Sequence, residues 1–200
     1  MTEVICKSLN DLSDEELIED YNNGDIDAFN KLYDRYATNI YSFLLRHQID
    51  KAICNDILQT LWEKILNKQD EFVLKIKKSH PPFVFKSYIY KMVRNLINDH
   101  FRQTKSIFNY SDEKSPILQE QSSTEEVYLI DEVIAEEKLF KLVSAIEQLP
   151  HNLRETFLLI KEAGLSLKEV AEIQETSIET AKTRRRYAYE KLKPYLEAMK

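Results

Sequence analysis

The stretch "SLKEVAEIQETSIETAKTRRRYAYEKL", residues 166–192, has the pattern of two short helices separated by a tight turn. Ser166 begins the first helix and is followed three residues later by Glu169, which is the spacing of a capping box. A break at residues 175–177 leads to a second helix that begins after Ser177. The pattern predicts a helix-turn-helix, a unit whose second helix lies in the major groove of DNA with its N-terminal part toward the bases.

A helical wheel divides the side chains of this second helix into three groups. One face carries Ile178, Ala181, Arg185, Ala188 and Leu192. The opposite face carries Thr180, Thr183, Arg184, Tyr187 and Lys191, and one flank carries Lys182, Arg186 and Lys193. We expect the first face to pack on the preceding helices, the second to meet base edges and the flank to bind phosphates. The alternative interpretation is a solvated basic helix.

The rest of the chain shows the same helical periodicity, because apolar residues recur at intervals of three and four and strand-like alternation is scarce. Between Gln103 and Glu126 the pattern stops and Ser, Gln and acidic residues dominate. A structureless segment of that length is uncommon inside one compact domain. We therefore predict an all-α fold class with two small helical domains, residues 1–102 and 131–200, joined by an acidic flexible linker at 103–130. The second would be a four-helix domain with the helix-turn-helix.

The charge is distributed unevenly, although the net charge of the whole chain is only −6. Residues 72–105 hold eight basic residues and one acid, and residues 149–200 hold ten bases and eight acids. By contrast, residues 11–71 hold 14 acids and six bases, and residues 106–148 hold ten acids and three bases. Basic segments separated by acidic ones indicate two contacts with a polyanion, with acidic faces left for other partners. Ordinary solvated charge is the alternative.

The composition argues against several classes of protein. Two glycines in 200 residues leave no Gly-rich loop to bind phosphate. Cys6 and Cys54 form no CxxC pair and the four His residues lack ligand spacing, so we expect no metal, no other cofactor and no disulfide framework. No nucleophile–base spacing appears, so we expect no enzyme. The absence of a signal segment and of a run of about 18 apolar residues predicts a cytoplasmic protein without membrane insertion.

The first basic segment interleaves aromatic and basic side chains, including Tyr88 and Lys91. Asn95, Asp99 and Arg102 follow on the polar side of a predicted helix. Stacking of bases on aromatic rings beside a cationic track is how single-stranded nucleic acids are bound, and Asn and Arg can make bidentate contacts to base edges. The alternative is that most of these aromatic residues belong to the core.

The order of these segments resembles that of RNA polymerase sigma factors of the extracytoplasmic-function (ECF) type, in the sigma-70 family. The segments "GDIDAFNKLYDRY", "NDILQTLWEKIL" and "FKSYIYKMVRNLINDHFRQ" are similar to successive parts of sigma region 2. The segment "AIEQLPHNLRETFLLIKEAGLSLKEVAEIQETSIETAKTRRRYAYEKL" is similar to sigma region 4, and the predicted linker lies between them. The resemblance covers most of the chain.

The resemblance implies a function, a set of partners and a set of site residues. The protein would be a transcription initiation factor that binds core RNA polymerase, directs it to promoter DNA and has an anti-sigma factor as a partner. Polymerase binding would use Asp56, Gln59 and Trp62. The −10 element, read as its strands separate, would face the loop before Phe85 and contact Tyr88, Lys91, Asn95, Asp99 and Arg102. The −35 element, read as duplex, would contact Thr180, Lys182, Thr183, Arg184, Arg186 and Tyr187.

Three residues depart from the family's pattern. Glu175 lies in the turn where members often have Gly, Tyr88 stands where many have Trp, and Arg185 stands where most have an apolar residue. The alternative function is a helix-turn-helix transcriptional regulator that acts without replacing sigma and binds duplex DNA without polymerase. A protein-interaction module is a further alternative, but it would not explain two basic segments. We expect weak promoter binding without core polymerase, because the acidic segments repel DNA.

Overall fold

The computed structural model describes residues 9–67, 72, 84–108 and 130–198, and all regular structure in these ranges is helical. The helices are α1 (Asp14–Asn22), α2 (Ile26–Arg46), α3 (Lys51–Leu66), α4 (Phe85–Phe108), α5 (Ile130–Glu147), α6 (His151–Lys161), α7 (Leu167–Ile173) and α8 (Ile178–Ala198). The predicted all-α fold class is confirmed. None of the described helices is long and apolar enough to span a membrane.

Reciprocal capping boxes set the points at which two of the described helices begin. Ser13 Oγ accepts a hydrogen bond from the Glu16 N–H (3.1 Å), while Glu16 Oε2 accepts one from the Ser13 N–H (2.7 Å). The same reciprocal pair joins Ser166 and Glu169 before α7, as the spacing of these residues predicts. Each box satisfies N–H groups that a helix start leaves without an intrahelical partner.

Helices α1 to α4 surround an apolar core. The 3.6-residue period brings one face of each helix inward, and the fully buried side chains include Leu17, Leu32, Ile40, Phe43, Leu44, Leu61, Phe85, Ile89 and Val93. Burial of each large apolar side chain contributes about 1.5–3 kcal/mol. Phe43 meets Tyr90 edge to face with the ring centroids 5.4 Å apart. This core holds one face of α4 against α2 and α3 and leaves the other faces available for contacts.

Helices α5 to α8 form the second unit, in which α8 packs mainly on α6 and also contacts α5 and α7. Phe157 of α6 meets Tyr189 of α8 with the ring centroids 5.5 Å apart. The chain leaves α6 through Gly164, whose φ of +63° lies in the left-handed region that only glycine adopts without strain. This turn directs α7 across α6 and so positions the helix-turn-helix.

The two helical units are docked against each other, with α4 contacting α7 and α2 contacting α5. Three polar side-chain pairs join them, Arg94–Glu155, Ser87–Glu169 and Arg46–Glu162. Burial raises the pKa of Glu162, although the Arg46 guanidinium opposes the rise. Burial also acts to raise the pKa of Glu169, but hydrogen bonds from Ser87 and Ser166 outweigh this effect, so the pKa of Glu169 is lowered overall. Both carboxylates are therefore held at the interface by specific partners.

The structure describes only the two ends of the predicted linker, and both ends are helical. Helix α4 continues to Phe108 and so includes residues 103–108, which the sequence assigns to the linker, and α5 begins at Ile130. Residues 109–129, the rest of the predicted linker, lie outside the described residues. Most of the loop before Phe85, which is predicted to face DNA, also lies outside the described residues. The domain boundaries stay a prediction.

Candidate nucleic-acid and polymerase interfaces

Helix α8 has one buried face and one exposed polar face. Ala181, Ala188 and Leu192 are fully buried, as the helical wheel predicts. Ile178, which the wheel places on the same face, is exposed, so the prediction that it packs inward is wrong, and Arg185 on that face is exposed as well. Both lie at one edge of the apolar stripe, where a long charged side chain can extend into water. The buried face is therefore narrower than the sequence indicates.

The turn before α8 has the tight geometry of a helix-turn-helix. Glu175 has a φ of +53°, in the left-handed region. The Thr176 N–H donates to the Ala171 carbonyl (2.9 Å), which closes the end of α7. Ser177 Oγ then accepts from the Thr180 N–H (3.1 Å) and caps α8 as predicted. The N-terminal turn of α8 thus begins at a fixed point with its polar face exposed.

The six residues predicted to contact the −35 element all lie on α8 with at least part of the side chain accessible to solvent. Lys182, Thr183, Arg186 and Tyr187 are exposed, while Thr180 and Arg184 are half-buried. Lys182 Nζ lies 2.7 Å from Glu179 Oε1, and the Arg186 guanidinium lies 5.0 Å from the centroid of the Tyr187 ring. Exposed pairs of this kind contribute at most about 1 kcal/mol. These cations can therefore exchange their local partners for phosphates.

Arg184 makes a more specific contact than its neighbours. Its Nη1 donates to Gln174 Oε1 at 3.0 Å, and Gln174 is only 5% exposed. Gln174 Nε2 in turn donates to Glu155 Oε2 at 2.7 Å, and Thr156 Oγ1 lies 3.0 Å from Gln174 Oε1. Glu155 also accepts from Arg94 Nε at 3.1 Å. A chain of polar side chains therefore extends from the exposed face of α8 through the second unit to α4.

The five residues predicted to contact the −10 element follow a 3, 4, 4, 3 spacing along α4, which places them on one face of the helix. Lys91, Asn95 and Arg102 are exposed. Asp99 is half-buried and pairs with Arg102 at 3.0 Å. Tyr88 is half-buried, and its ring meets Phe72 edge to face with the centroids 5.0 Å apart. The structure brings these residues together, with an aromatic ring held in place at one end of the row.

Arg94 and Ser87 lie on a neighbouring face of α4 and contact the second unit. Ser87 Oγ donates to Glu169 Oε1 at 2.5 Å. On a helix, Ser87 and Arg94 stand about 100° away from the row that contains Lys91 and Asn95. The second unit therefore docks beside this row and leaves it accessible.

Two of the three residues predicted to bind polymerase, Gln59 and Trp62, line a groove between α2 and α3, and Asp56 lies on α3 outside that lining. Asp56 and Gln59 are exposed, and Gln59 donates to Glu63 at 2.9 Å. Trp62 is only 6% exposed, and its ring lies 5.0 Å from Tyr33 and 5.7 Å from Phe29. The groove is lined by Tyr33, Asn55, Leu58, Gln59, Trp62, Glu63 and Leu66. Trp62 therefore forms the floor of the groove and presents little of its side chain to a partner.

Sequence reasoning missed several residues of these interfaces. Tyr33 and Leu66, which line the groove, are large side chains that stay exposed, at 43% and 36%. The helical period assigns such residues to a core, so only a packed structure shows that they remain outside. Gln174 and Glu155 are buried polar residues behind α8, and their spacing in the sequence gives no signal of their contact. Within the described ranges, no cluster of three His, Cys, Asp or Glu residues is placed to hold a metal ion.

Comparison with known families supports the division into two regions. Residues 32–107 match the family described as "Sigma-70 region 2", and residues 139–192 match "Sigma-70, region 4". The first match includes the groove between α2 and α3 and most of α4, and the second includes the whole helix-turn-helix. Together the two matches cover more than half of the chain and follow each other in the order that the sequence predicts.

The chain is also similar to individual proteins. It is 29% identical over 166 residues to the RNA polymerase sigma factor SigZ of Bacillus subtilis (strain 168), covering 83% of this chain and 85% of that one. It is 27% identical over 90 residues to the ECF RNA polymerase sigma factor BldN of Streptomyces coelicolor, covering 45% and 32%. Among solved structures, it matches the sigma factor RpoE in complex with the anti-sigma factor NepR from Bartonella quintana with a TM-score of 0.62 and 20% identity, covering 86% of this chain and 98% of that one. This last likeness shows the shared fold.

Proposed function

The chain belongs to the sigma-70 family, as an RNA polymerase sigma factor of the ECF type, and we propose that it directs core polymerase to promoters by reading two separate DNA elements. Helix α8 reads the −35 element as duplex, and the polar row on α4 reads the −10 element as its strands separate. The observation that carries the proposal is that both rows stay accessible on helices whose opposite faces are buried in the two cores.

The −35 role is supported by the way α8 begins. The Ser177 cap and the left-handed turn at Glu175 place Thr180, Thr183 and Arg184 on the first two turns of the helix. In a helix-turn-helix these turns lie deepest in the major groove. Threonine hydroxyls can bond either base edge, and arginine bonds guanine O6 and N7 together. Lys182 and Arg186 on the flank supply phosphate contacts that fix the register.

The −10 role is supported by the composition and order of the row on α4. Tyr88 offers a ring, held against Phe72, on which an unstacked base can lie. Lys91 is exposed one turn further along and can neutralise a phosphate. Asn95 and Arg102 carry side chains that can bond base edges once the two strands have separated. The row thus combines stacking, charge and hydrogen bonding along one strand.

We assign polymerase binding to the groove between α2 and α3. Its exposed apolar residues, Tyr33 and Leu66, lie beside the polar lining residues Asn55, Gln59 and Glu63. An apolar centre with a polar rim is the usual anatomy of a protein–protein interface. Residues 11–71, which contain the groove, carry 14 acids and six bases, so a basic polymerase surface is the complementary partner. An anti-sigma factor, the partner named for the RpoE structure, is proposed as a second partner that holds the protein away from polymerase.

The docked arrangement also implies that polymerase separates the two units. Elements centred at −35 and −10 lie about 25 base pairs apart, which is about 85 Å of duplex at about 3.4 Å per pair. A compactly folded chain of 200 residues is only about 45 Å across. One docked molecule therefore cannot place α4 and α8 on both elements together. We expect the free protein to bind promoter DNA weakly for this reason as well as for its net charge of −6.

The proposal is tested by combining the full chain with bacterial core RNA polymerase and a duplex library randomised over both promoter elements. We expect co-elution with core, and selection of preferred bases at both elements only when core is present. The matched variant Leu66→Asp adds a charge to the groove and should abolish co-elution, while Asp11→Asn, outside the groove, should not. Tight, sequence-specific duplex binding by the chain alone would favour the alternative of a regulator that acts without replacing sigma.

A further inference from the structure

Four buried or half-buried side chains form a continuous chain of hydrogen bonds from α8 to α4. Arg184 Nη1 donates to Gln174 Oε1 (3.0 Å), Gln174 Nε2 donates to Glu155 Oε2 (2.7 Å), and Arg94 Nε donates to Glu155 Oε1 (3.1 Å). Gln174 is 5% exposed and Glu155 is 2% exposed. Their polar atoms are therefore shielded from water, which strengthens each of these hydrogen bonds and makes an unpaired group costly.

The neighbours of Gln174 fix the orientation of its amide. The oxygen faces the Arg184 guanidinium, which only donates, and the NH₂ faces the Glu155 carboxylate, which only accepts. An amide turned the other way would set donor against donor and acceptor against acceptor. The carboxylate also polarises the amide, so the oxygen becomes a stronger acceptor for the guanidinium. No other neutral side chain of this length offers both functions, so the position requires glutamine.

Held in this way, Arg184 is preorganised for contact with a base. An arginine carries five N–H donors, and the single hydrogen bond to Gln174 leaves an edge of the guanidinium for a bidentate contact with a base. Arginine has many rotamers, so a partner that already restrains it lowers the entropy lost on binding DNA. The exposed cations Lys182 and Arg186 have only weak partners on the surface of α8. Among the basic residues of the polar face, Arg184 is therefore the one whose side chain is restrained to a single orientation.

We propose that Gln174, supported by Glu155, positions Arg184 to read one guanine of the −35 element. Gln174 and Glu155 are positioning residues, since neither reaches the exposed face of α8. The inference rests on the proposed −35 role of α8. It adds that specificity at one base pair depends on a buried residue at the C-cap of α7, the first helix of the helix-turn-helix.

A purely structural role for Gln174 makes a different prediction. Loss of a buried amide lowers stability and weakens binding to every sequence alike. A positioning role instead flattens the preference at one base pair, and the effect disappears when Arg184 is already absent. A double-mutant cycle on base preference separates the two roles, because it isolates the term that the pair shares.

The test uses the full chain bound to core polymerase and a promoter library randomised over the −35 element, with sequencing of the bound fraction. We expect Arg184→Ala and Gln174→Met each to lower the preference for guanine at one and the same position by about tenfold. The double variant should lose no more than Arg184→Ala alone. Glu155→Gln, which keeps the shape but removes the charge, should give a smaller loss at the same position and covers the case in which Gln174→Met does not fold.

Thr156→Val is the matched control, since Thr156 touches the same amide oxygen without contacting Arg184. This variant should leave the base preference unchanged. Any of three results would overturn the inference. In the first, Thr156→Val lowers the guanine preference as much as Gln174→Met does. In the second, the effects of Arg184→Ala and Gln174→Met add in the double variant, and in the third, Gln174→Met leaves the preference unchanged. If wild type itself shows no preference at the −35 element, the proposed function fails; if wild type selects bases and Gln174→Met matches it, only the inference fails.

Discussion

The Nε atom of Arg94 and the Oε1 atom of Glu155 lie 3.1 Å apart and join the helix proposed to read the −10 element to the unit proposed to read the −35 element. The Glu155 side chain is 3% exposed and that of Arg94 is 19% exposed, so the pair is largely shielded from water. A carboxylate buried without its cation is strongly unfavourable. The free protein is therefore held in one docked arrangement that DNA binding at both elements must open.

Arg94→Ala should loosen this arrangement. Glu155 loses its only guanidinium partner among the described residues, and separation of the two units lets water reach the carboxylate. We expect an increased radius of gyration of the free protein in small-angle X-ray scattering, with helix content unchanged. Arg102→Ala is the control, because the Arg102–Asp99 pair is exposed and lies within α4. A radius equal to that of wild type would show that this pair does not hold the units together.

The three consecutive arginines of α8 should have separable roles. Arg184→Ala should cost about 1–3 kcal/mol at one base position, because it removes a base-edge contact. Arg186→Ala should weaken binding to all sequences and reduce the salt slope by about one, because it removes a phosphate contact. Arg185 is exposed, so Arg185→Ala should change the free energy of unfolding by less than about 0.5 kcal/mol. Promoter binding by the polymerase complex at several salt concentrations measures all three; equal losses in each variant would contradict the division.

Glu175→Gly should stabilise the second unit by about 1 kcal/mol. Glu175 has a φ of +53°, where a Cβ is strained and glycine is not. The measurement is the free energy of unfolding from urea titration. Glu172→Gly is the matched control, since Glu172 is an exposed glutamate inside α7 and its replacement should cost about 0.5–1 kcal/mol. Destabilisation by both substitutions would mean that the Glu175 side chain makes a favourable contact that outweighs the strain.

The free energy of unfolding should decrease as the pH drops through the range in which His47 takes up a proton. Burial lowers the pKa of His47 to about 4 from an ordinary value of 6.5, and the nearby His151 and Arg154 add to the effect. Below about pH 6.5 the unfolded chain binds a proton that the folded protein excludes, so the loss grows until about pH 4 and then levels off. The full effect is about 3 kcal/mol.

Urea titrations from pH 7 to pH 4 measure this dependence. His47→Gln removes the titrating group, so the slope of unfolding free energy against pH should flatten relative to wild type. His100→Gln is the control, since the His100 ring packs on Phe101 and His100 is not among the groups that shift the pKa of His47. An unchanged slope in His47→Gln would assign the pH dependence to other groups.

Much of the fold was predictable because its signals are local. The capping boxes at Ser13 and Ser166 act over a few residues, and the structure confirms the helices that they begin. The family resemblance named the residues of the row on α4, and the helical period places them on one face. Contacts between distant segments gave no such signal, since Arg94 and Glu155 are 61 positions apart and their pairing depends on how two units dock.

The errors in the candidate sites have the same origin. A helical wheel ranks residues by angle but does not give the width of the surface that covers them, so Ile178 was assigned inward although it is exposed. It also assigns Tyr33 to a core and does not show that α2 and α3 leave a groove beside it. Gln174 is recognisable as a buried polar residue only when Glu155 and Arg184 are seen on either side.

Run-off transcription with purified core polymerase tests the central claim most directly. A promoter selected from the randomised library is transcribed with the full chain, and the −35 and −10 elements are scrambled one at a time. We predict transcripts that require the chain, core polymerase and both elements, with the −35 requirement weakened specifically by Arg184→Ala. Transcription that is independent of both elements, or a chain that leaves core polymerase inactive on every selected promoter, would contradict the account.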